Sequence, residues 1–291
     1  KRMRFTQVDF IDDAEVSAKL FKTVEDWARQ KGCDEVHGPL GFCDLDREGM
    51  LVEGFDRRNM FITYYNFPYY NEHLSQLGYK KDVDWVEFKI MVPKKGDSNY
   101  ERVHRLSELV AGRYRLHKAE LNNRSDYKPY VKKVFELLNE AYANLYGVVR
   151  LRAEQIEKYS DKFIPLINPD YVCFVMDEKE EMAGFGVSCP SVADAIKKSS
   201  GKLFPLGWIR VLRALNHNNA LDLLLIAVRK DLQNKGVNSI IIDHIMQSCI
   251  KNGIEYAESG PQLELNSRIN NQWKSFDITL HKRRRCYIKA L

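Results

Sequence analysis

The stretch "LLLIAVRKDLQNKGVNSIIIDHI", from Leu223 to Ile245, decides the fold class. Its first apolar run is short and continuous, which is typical of a buried strand, and its second run has the spacing of a helix face. A polar turn with a single glycine, Gly236, separates the two runs. The pattern predicts a strand over 221–228, a turn over 229–236 and a helix over 237–251.

The turn itself has the composition of an anion site. A helix N-terminus presents unpaired N–H groups and partial positive charge, and a glycine there allows close approach of a ligand to the backbone. Asn234 or Asn238 could cap the helix, and Asp231 is the one acid nearby. Arg229, Lys230 and Lys235 add positive charge. Two interpretations stay open, a cradle for a phosphate group and a plain turn between strand and helix.

The rest of the chain alternates predicted strands and helices. Helices are predicted at 14–31, 71–78, 129–145, 153–164 and 266–276 by their apolar spacing. Strands are predicted at 3–11, 35–36, 83–92, 103–110, 171–177, 181–189 and 278–290, with one near residue 256. The stretch "PKKGDSN" (93–99) is the best linker, because it combines Pro, Gly and charge without an apolar anchor. We therefore expect two domains, 1–95 and 96–291.

Two parts of this map resemble each other. A strand and a helix lead to Gly32 and "CDEVHGPLG", and another strand and helix lead to Gly253 and "IEYAESGPQL", about 221 residues later. The order of elements favours a duplication. Since nothing precedes the strand of the first copy, we expect this chain to lack the front half of that copy. The predicted fold is α/β, with a mixed, mostly antiparallel twisted sheet flanked by helices, in two lobes of which the first is incomplete.

A strand, then Gln-x-x-Gly-x-(Gly or Ala), then an amphipathic helix resembles the acetyl-CoA signature of the GNAT N-acetyltransferases. Here the motif is Gln233 to Asn238, with Asn238 at the last glycine position. The resemblance covers 103–291 as one GNAT-like domain and 3–92 as the back half of another. The stretches "GPLGFCDLDREGMLVEGFD" and "HKRRRCYIK" are also similar to a group of bacterial tandem GNAT-like proteins.

The resemblance implies an acyl-CoA-dependent N-acyltransferase that transfers an acetyl group to a primary amine. It implies that backbone N–H groups of the turn hold the CoA pyrophosphate and that the preceding strand pairs with the pantetheine arm. Carried over to this chain, the implied cofactor-binding residues are Ile226, Val228, Gln233, Lys235, Gly236, Val237, Asn238 and Ser239. The first copy carries Asp12, Asp13 and Glu15 at the equivalent helix start. Since these carboxylates would satisfy that terminus themselves, we expect no CoA there.

Acyl transfer to an amine needs a base and a proton donor for the leaving thiolate. Glu258, in the strand that leads to Gly260, and Glu264 just beyond it are the candidate bases, and solvated surface positions are the alternative. In the GNAT family a tyrosine after the fourth helix often serves as acid. Trp273 and Phe276 stand in that region here, and Tyr287 in the last strand is the nearest tyrosine.

The densest basic run is His281 to Arg285, in the predicted last strand. Alternate residues of a strand face opposite sides, so the run cannot all point at one ligand. We predict an edge strand protected by charge. Binding of an acidic acceptor or of RNA phosphates is the alternative.

The composition limits the classes of binding partner that can be expected. The 45 basic and 40 acidic residues give +5, which allows an anionic ligand without requiring nucleic acid. Six cysteines without a CxxC pair indicate no zinc site and fit a reducing cytoplasm. No apolar run approaches about 18 residues. We expect acetyl-CoA or another acyl-CoA as co-substrate, no metal and no membrane contact. The expected acceptor is a small-molecule or peptide amine.

Two other functions stay open at this point. One is a non-catalytic GNAT-like binding protein, which the missing tyrosine and Asn238 favour. The other is a transferase of the peptidoglycan-bridge type that uses aminoacyl-tRNA, which would make tRNA the one nucleic-acid partner. A homodimer is compatible with the sequence.

Overall fold

The computed structural model describes residues 1–43, 45–164, 167–266, 269–270 and 272–291. The helices are α1 (Ala14–Gln30), α2 (Tyr69–Gln76), α3 (Ser98–Tyr114), α4 (Lys128–Ala141), α5 (Ala153–Phe163), α6 (Ala193–Lys198), α7 (Gly207–Asn216) and α8 (Asn238–Lys251). The strands are β1 (Arg2–Arg4), β2 (Glu35–Gly38), β3 (Met50–Glu53), β4 (Lys80–Met91), β5 (His117–Lys118), β6 (Val172–Met176), β7 (Met182–Pro190), β8 (Ala220–Val228), β9 (Tyr256–Ser259), β10 (Gln262–Leu263) and β11 (Ile278–Ala290).

The described strands form one eleven-stranded sheet. Its order is β1-β2-β11-β4-β9-β8-β7-β6-β5, with β3 beside β11 and β10 beside β4. The pairs β1–β2 and β8–β9 are parallel, and the other pairs are antiparallel. The predicted mixed, mostly antiparallel sheet flanked by helices is therefore confirmed.

The two predicted copies exchange their last strands. In each copy a parallel strand pair brackets a long helix, β1–α1–β2 in the first and β8–α8–β9 in the second. The first copy ends in β4, which pairs with β9, and the chain ends in β11, which pairs with β2. The long antiparallel pair of β4 and β11 lies between them. Each copy thus completes the sheet of the other.

Helices cover both faces of the sheet. Helix α8 packs beside α3 over β6 and β7, where Val110, Val175 and Ile241 are buried together. Helix α4 covers the opposite face with Leu138 against Phe174. Successive strand residues face opposite sides, so both layers are anchored on the same strands.

Most predicted elements are confirmed, with three differences. The predicted strand at 103–110 is wrong, because these residues lie in α3. Tyr100, Val103, Ser107 and Val110 are its buried positions, and their spacing of three and four is that of a helix face. The strand predicted at 3–11 ends at Arg4, and Gln7 then takes a φ of +50°. Of the helix predicted at 266–276, residues 272–275 form a 3-10 turn, and 267, 268 and 271 lie outside the described residues.

No helix in the described part of the chain combines the length and the apolar character needed to cross a membrane.

Candidate functional site

The parallel strands β8 and β9 part halfway along β8. Their pairing ends at Leu223 opposite Ser259, and the Gly260 N–H still donates to the Leu223 carbonyl at 3.0 Å. Beyond this point β8 continues to Val228, whereas the segment after β9 turns away from β8 and forms β10, which pairs with β4. The sheet therefore has a gap beside the second half of β8.

A cavity of about 1400 Å³ fills this gap and reaches both faces of the sheet. Val131 and Phe135 of α4 line it on one face, and Ile241 and Ile245 of α8 line it on the other. Apolar side chains dominate the wall. The acids Asp46, Glu48, Asp82, Asp84 and Glu264 also line it, and the one basic side chain in the described lining is Lys81. The cavity is thus apolar with an acidic part.

The turn before α8 borders the cavity and is held tightly. The Gln233 side-chain amide donates to the Val228 carbonyl at 3.1 Å, which ties the turn to β8. Gly236 has a φ of +82°, and a Cβ there would lie 3.1 Å from the Val110 side chain of α3. Glycine is therefore required by the backbone conformation and by the contact with α3.

The N-terminus of α8 has unpaired donors. No side chain in the described part of the chain caps the helix, and its first turn has no acid. Among the described residues, no protein acceptor receives the N–H groups of Gly236, Val237 or Asn238. Exposed N–H groups at a helix start are a binding site for anions.

The corresponding turn before α1 has the opposite character. The Asp13 carboxylate accepts from the N–H groups of Glu15 at 2.8 Å and Val16 at 3.1 Å. The predicted capping of α1 by an acid is confirmed, so this helix satisfies its own N-terminus.

A solved GCN5-related N-acetyltransferase from Sphaerobacter thermophilus superposes on this chain with a TM-score of 0.52. The match covers 94% of this chain and 68% of that one, at 8% identity. The chain has the GNAT fold. The fold expected from the motif is thereby confirmed.

Two curated proteins are similar along almost the whole chain. Protein YghO of Escherichia coli K12 is 25% identical over an alignment of 294 positions that covers 99% of this chain and 74% of that protein. The bacterial ceramide synthase of Caulobacter vibrioides is 26% identical over 286 residues, which are 96% of this chain and 73% of that protein. No protein-family model matches the chain.

Most of the residues carried over from the GNAT motif meet at the cavity. Its described lining includes Ile226, Val228, Gln233, Gly236, Val237 and Asn238. The described lining does not include Lys235 or Ser239. The Lys235 ammonium lies 5.5 Å from the centre of the Tyr114 ring, and Ser239 is buried. Their cofactor roles stay predictions.

The positive charge near the GNAT turn is smaller than the sequence indicates. Arg229 pairs with Asp177 and Asp231, each at 2.8 Å. These two carboxylates neutralise it. The remaining nearby charges are Lys230 and Lys235, which are exposed. The unpaired N–H groups are therefore the main attraction for an anion.

The two candidate bases have different surroundings. Glu264 lines the cavity and pairs with Lys81 at 2.9 Å and with Arg283. Lys81 and then Arg283 hold the pKa of Glu264 below its usual value. Such a carboxylate takes up a proton poorly at neutral pH, so Glu264 is poorly suited to general base catalysis.

Glu258 is 2% exposed and does not belong to the described lining. Its carboxylate binds the Lys282 ammonium at 3.0 Å and the Arg58 guanidinium at 3.2 Å. These two partners hold it inside the sheet. Its role as base stays a prediction.

Tyr287, the candidate acid, lies in the core of the first copy with Phe5 and Tyr70. Its hydroxyl donates to Asn71 at 2.8 Å, and the described lining does not include it. A catalytic role for Tyr287 stays a prediction that no contact with the cavity supports.

The basic run is not an edge strand. It lies in β11, an interior strand of the sheet, and residues 283–285 pair with β3 on one side and β4 on the other. Lys282 and Arg284 are buried and bind Glu87 at 3.2 and 2.5 Å. Arg285 binds Asp84 at 2.8 Å, and Arg283 also contacts it. Residues 282–285 of the run are thus partnered charges that join neighbouring strands.

Asp222 of β8 was missed by the sequence reasoning. It is fully buried and lies opposite Glu258 in the β8–β9 pair. Burial raises the pKa of Asp222 to about 7, and the charge of Glu258 adds to the shift. The signal in the sequence is an acid inside the apolar strand "ALDLLLIAV" (220–228). Asp222 does not line the cavity. Its raised pKa is therefore expected to affect the pH dependence of the free energy of unfolding.

Proposed function

We propose that the protein is an N-acyltransferase that moves a long acyl chain from an acyl-CoA to the amine of a lipid-like acceptor. The observation that supports this most is the size of the cavity, about 1400 Å³. Pockets for drug-sized ligands usually measure about 300–1,000 Å³. An acetyl group would occupy a small part of this apolar space, so the proposed donor is a long-chain ester.

The residues present fit a CoA ester. The unpaired N–H groups of Gly236, Val237 and Asn238 suit the pyrophosphate. Beyond Leu223 the edge of β8 that faces β9 has no strand partner in the described part of the chain, while β7 pairs with the other edge as far as Val228. Such an edge offers N–H and C=O groups to an extended arm such as pantetheine.

The acidic part of the cavity fits an amine. The carboxylate of Glu264 stays ionised at neutral pH because Lys81 and Arg283 hold its pKa down. The five acids of the described lining outnumber its one basic residue, Lys81, and this excess of carboxylates can attract an ammonium group. One relative is named as a ceramide synthase, and a ceramide is the amide of a long-chain amino alcohol. An acceptor of that kind has both the amine and the apolar chain that this cavity accommodates.

The net reaction forms two bonds, C–N and S–H, and breaks two, C–S and N–H. The amine nitrogen attacks the thioester carbon, the C–N bond forms, and the C–S bond breaks. One proton of the neutral amine ends on the sulfur of CoA. Excluding water from the apolar cavity protects the thioester from hydrolysis.

Affinity for CoA esters is expected to increase with acyl length. Each buried methylene contributes about 0.8 kcal/mol, so a dodecanoyl ester, with four more methylenes, should bind about two-hundredfold more tightly than an octanoyl ester. Calorimetry with non-transferable thioether analogues of acetyl-, octanoyl- and dodecanoyl-CoA measures this. Equal affinities for all three would reject the long-chain donor, and no binding of any would reject CoA. A gel-shift titration with tRNA would then test the aminoacyl-tRNA alternative.

Asn238→Asp is expected to weaken CoA binding about tenfold without destabilising the fold. A carboxylate in the first turn of α8 favours the helix, but it repels a pyrophosphate at the same N–H groups. The matched control is Asn99→Asp in the first turn of α3, which changes the net charge equally outside the described lining. Equal affinities of both variants for acetyl-CoA would show that the turn does not hold the pyrophosphate. Their thermal midpoints report on folding.

A further inference from the structure

The segment between β7 and β8 carries the densest exposed apolar patch of the described chain. It consists of α6, α7 and the loop between them, and we call it the α6–α7 hairpin (193–216). Six large apolar side chains within ten residues are between 44% and 80% exposed: Leu203, Phe204, Leu206, Trp208, Ile209 and Leu212. Contiguous exposed apolar surface of this kind marks an interaction site.

Half of the patch lies on a second face of α7, and the other half lies in the loop before it. Gly207, Val211 and Leu215 point inward at a spacing of four residues, and Gly207 and Leu215 are buried. Trp208 and Leu212 lie outside this stripe on a helix of 3.6 residues per turn. The helix is therefore apolar on a face that the protein does not cover.

Hydrogen bonds within the hairpin fix this surface. The Trp208 indole N–H donates to the Pro205 carbonyl at 3.0 Å. The Arg210 guanidinium donates to the Lys198 carbonyl at 2.8 Å, which joins α7 to the end of α6. The apolar side chains are thus presented by a connected structure.

The surroundings of the patch are positive. The hairpin carries the basic residues Lys197, Lys198, Lys202, Arg210 and Arg213. Its single acid, Asp194, pairs with Arg58 at 3.3 Å. An apolar face bordered by Lys and Arg, with a tryptophan at the boundary, is the composition of a helix that lies in a membrane interface.

We propose that the α6–α7 hairpin docks the protein onto an anionic phospholipid bilayer. The exposed apolar side chains enter the headgroup region, and the basic residues contact lipid phosphates. A second copy of the chain fits the patch less well, because a symmetric contact would bring two basic borders together. The sequence led us to expect no membrane contact, because no apolar run is long enough to span a bilayer. The proposed docking differs from that expectation, since it needs no spanning segment. Docking goes beyond the proposed acyl transfer and does not depend on it.

The test is co-sedimentation of the full chain with vesicles of phosphatidylcholine, with and without about 30 mol% phosphatidylglycerol. The wild type is expected to bind the anionic vesicles at least tenfold more tightly than the neutral ones. Phe204→Gln/Leu212→Gln should lower this affinity at least tenfold. The matched control is Ile11→Gln/Leu109→Gln, which removes two side chains of similar exposure elsewhere (66% and 65%) and should bind like the wild type.

A second variant, Lys202→Glu/Arg213→Glu, separates charge from apolar contact. Each basic residue near an anionic surface contributes about 1 kcal/mol, so this reversal should cost about tenfold or more on anionic vesicles. Slower amide hydrogen exchange in 203–213 on binding would locate the contact. Absence of binding by the wild type, or equal binding of all variants, overturns the proposal. So does a dimer in analytical ultracentrifugation that Phe204→Gln/Leu212→Gln dissociates.

Vesicle binding is measured without donor or acceptor. Its failure would therefore leave the proposed acyl transfer standing, and loss of acyl-CoA binding would leave the docking surface standing. Binding of soluble CoA esters by Phe204→Gln/Leu212→Gln should equal that of the wild type, since neither residue lines the described cavity.

Discussion

Val131→Trp is expected to weaken binding of dodecanoyl-CoA at least about a hundredfold while acetyl-CoA binding changes less than about threefold. Val131 lies on α4 and lines the cavity on the face opposite α8. An indole at this position takes up space that the proposed acyl chain would fill. The turn before α8 is on another element, so the proposed pyrophosphate contact stays intact.

The adjacent residue supplies the matched control. Lys132 points outward from α4 with its side chain 86% exposed. Lys132→Trp adds the same indole to the same helix outside the cavity, and Val, Lys and Trp are all tolerated in helices. Calorimetry with the two thioether analogues should show wild-type affinities for this variant. Parallel losses for both esters in Val131→Trp would instead indicate a damaged fold and would not support a chain-length site.

The strand–turn–helix unit at 220–251 was predictable because its information is local. A continuous apolar run, a glycine and a helical period lie within these 32 residues. The capped start of α1 was predictable for the same reason, since Asp13 acts on N–H groups two and three residues away. The GNAT fold followed from the order of such units.

Features that depend on distant partners were not predictable. The run at 281–285 has the composition of an exposed strand, and only the neighbours of β11 explain its burial. Lys282 and Arg284 meet Glu87, about two hundred residues earlier in the chain. The strand exchange that brings β4 beside β11 is likewise a property of the whole sheet.

The cavity and the α6–α7 hairpin could not be predicted from the sequence, for two further reasons. The gap between β8 and β9 begins where their pairing stops. No pattern of residues in the sequence indicates the position at which the pairing stops. The α6–α7 hairpin has a helical period, but its apolar residues lie on two faces. A search for spanning segments misses it, because an interfacial helix needs an apolar face and not a long apolar run.

Glu258 and Asp222 are expected to respond to neutralisation with opposite signs, although they are neighbours in the β8–β9 pair. Glu258→Gln should lower the free energy of unfolding by about 3 kcal/mol, because the buried Lys282 and Arg284 would then share the one carboxylate of Glu87 and an uncompensated positive charge would remain. The partners of Glu258 are Lys282, which is 1% exposed, and Arg58, whose side chain is 18% exposed. Asp222→Asn should instead raise the free energy of unfolding at pH 8.

The sign for Asp222 follows from its raised pKa of about 7. The unfolded chain ionises this group near 3.9, so the wild type loses stability as the pH increases from about 4 to about 7. Asparagine does not ionise. The advantage of Asp222→Asn is therefore small near pH 4, grows up to pH 7 and is constant above it, with an upper limit of about 4 kcal/mol from a shift of about three units.

Denaturation by urea at pH 5, 6, 7 and 8 measures both variants. A stabilisation by Asp222→Asn that does not change with pH would show that Asp222 titrates normally. Loss of stability at pH 8 would show that its carboxylate is needed as an anion. The double variant tests the coupling between the two residues. The charge of Glu258 raises the pKa of Asp222. In the Glu258→Gln background, Asp222→Asn should therefore increase the free energy of unfolding by less than it does in the wild type. Equal gains in both backgrounds would assign the shift to burial alone.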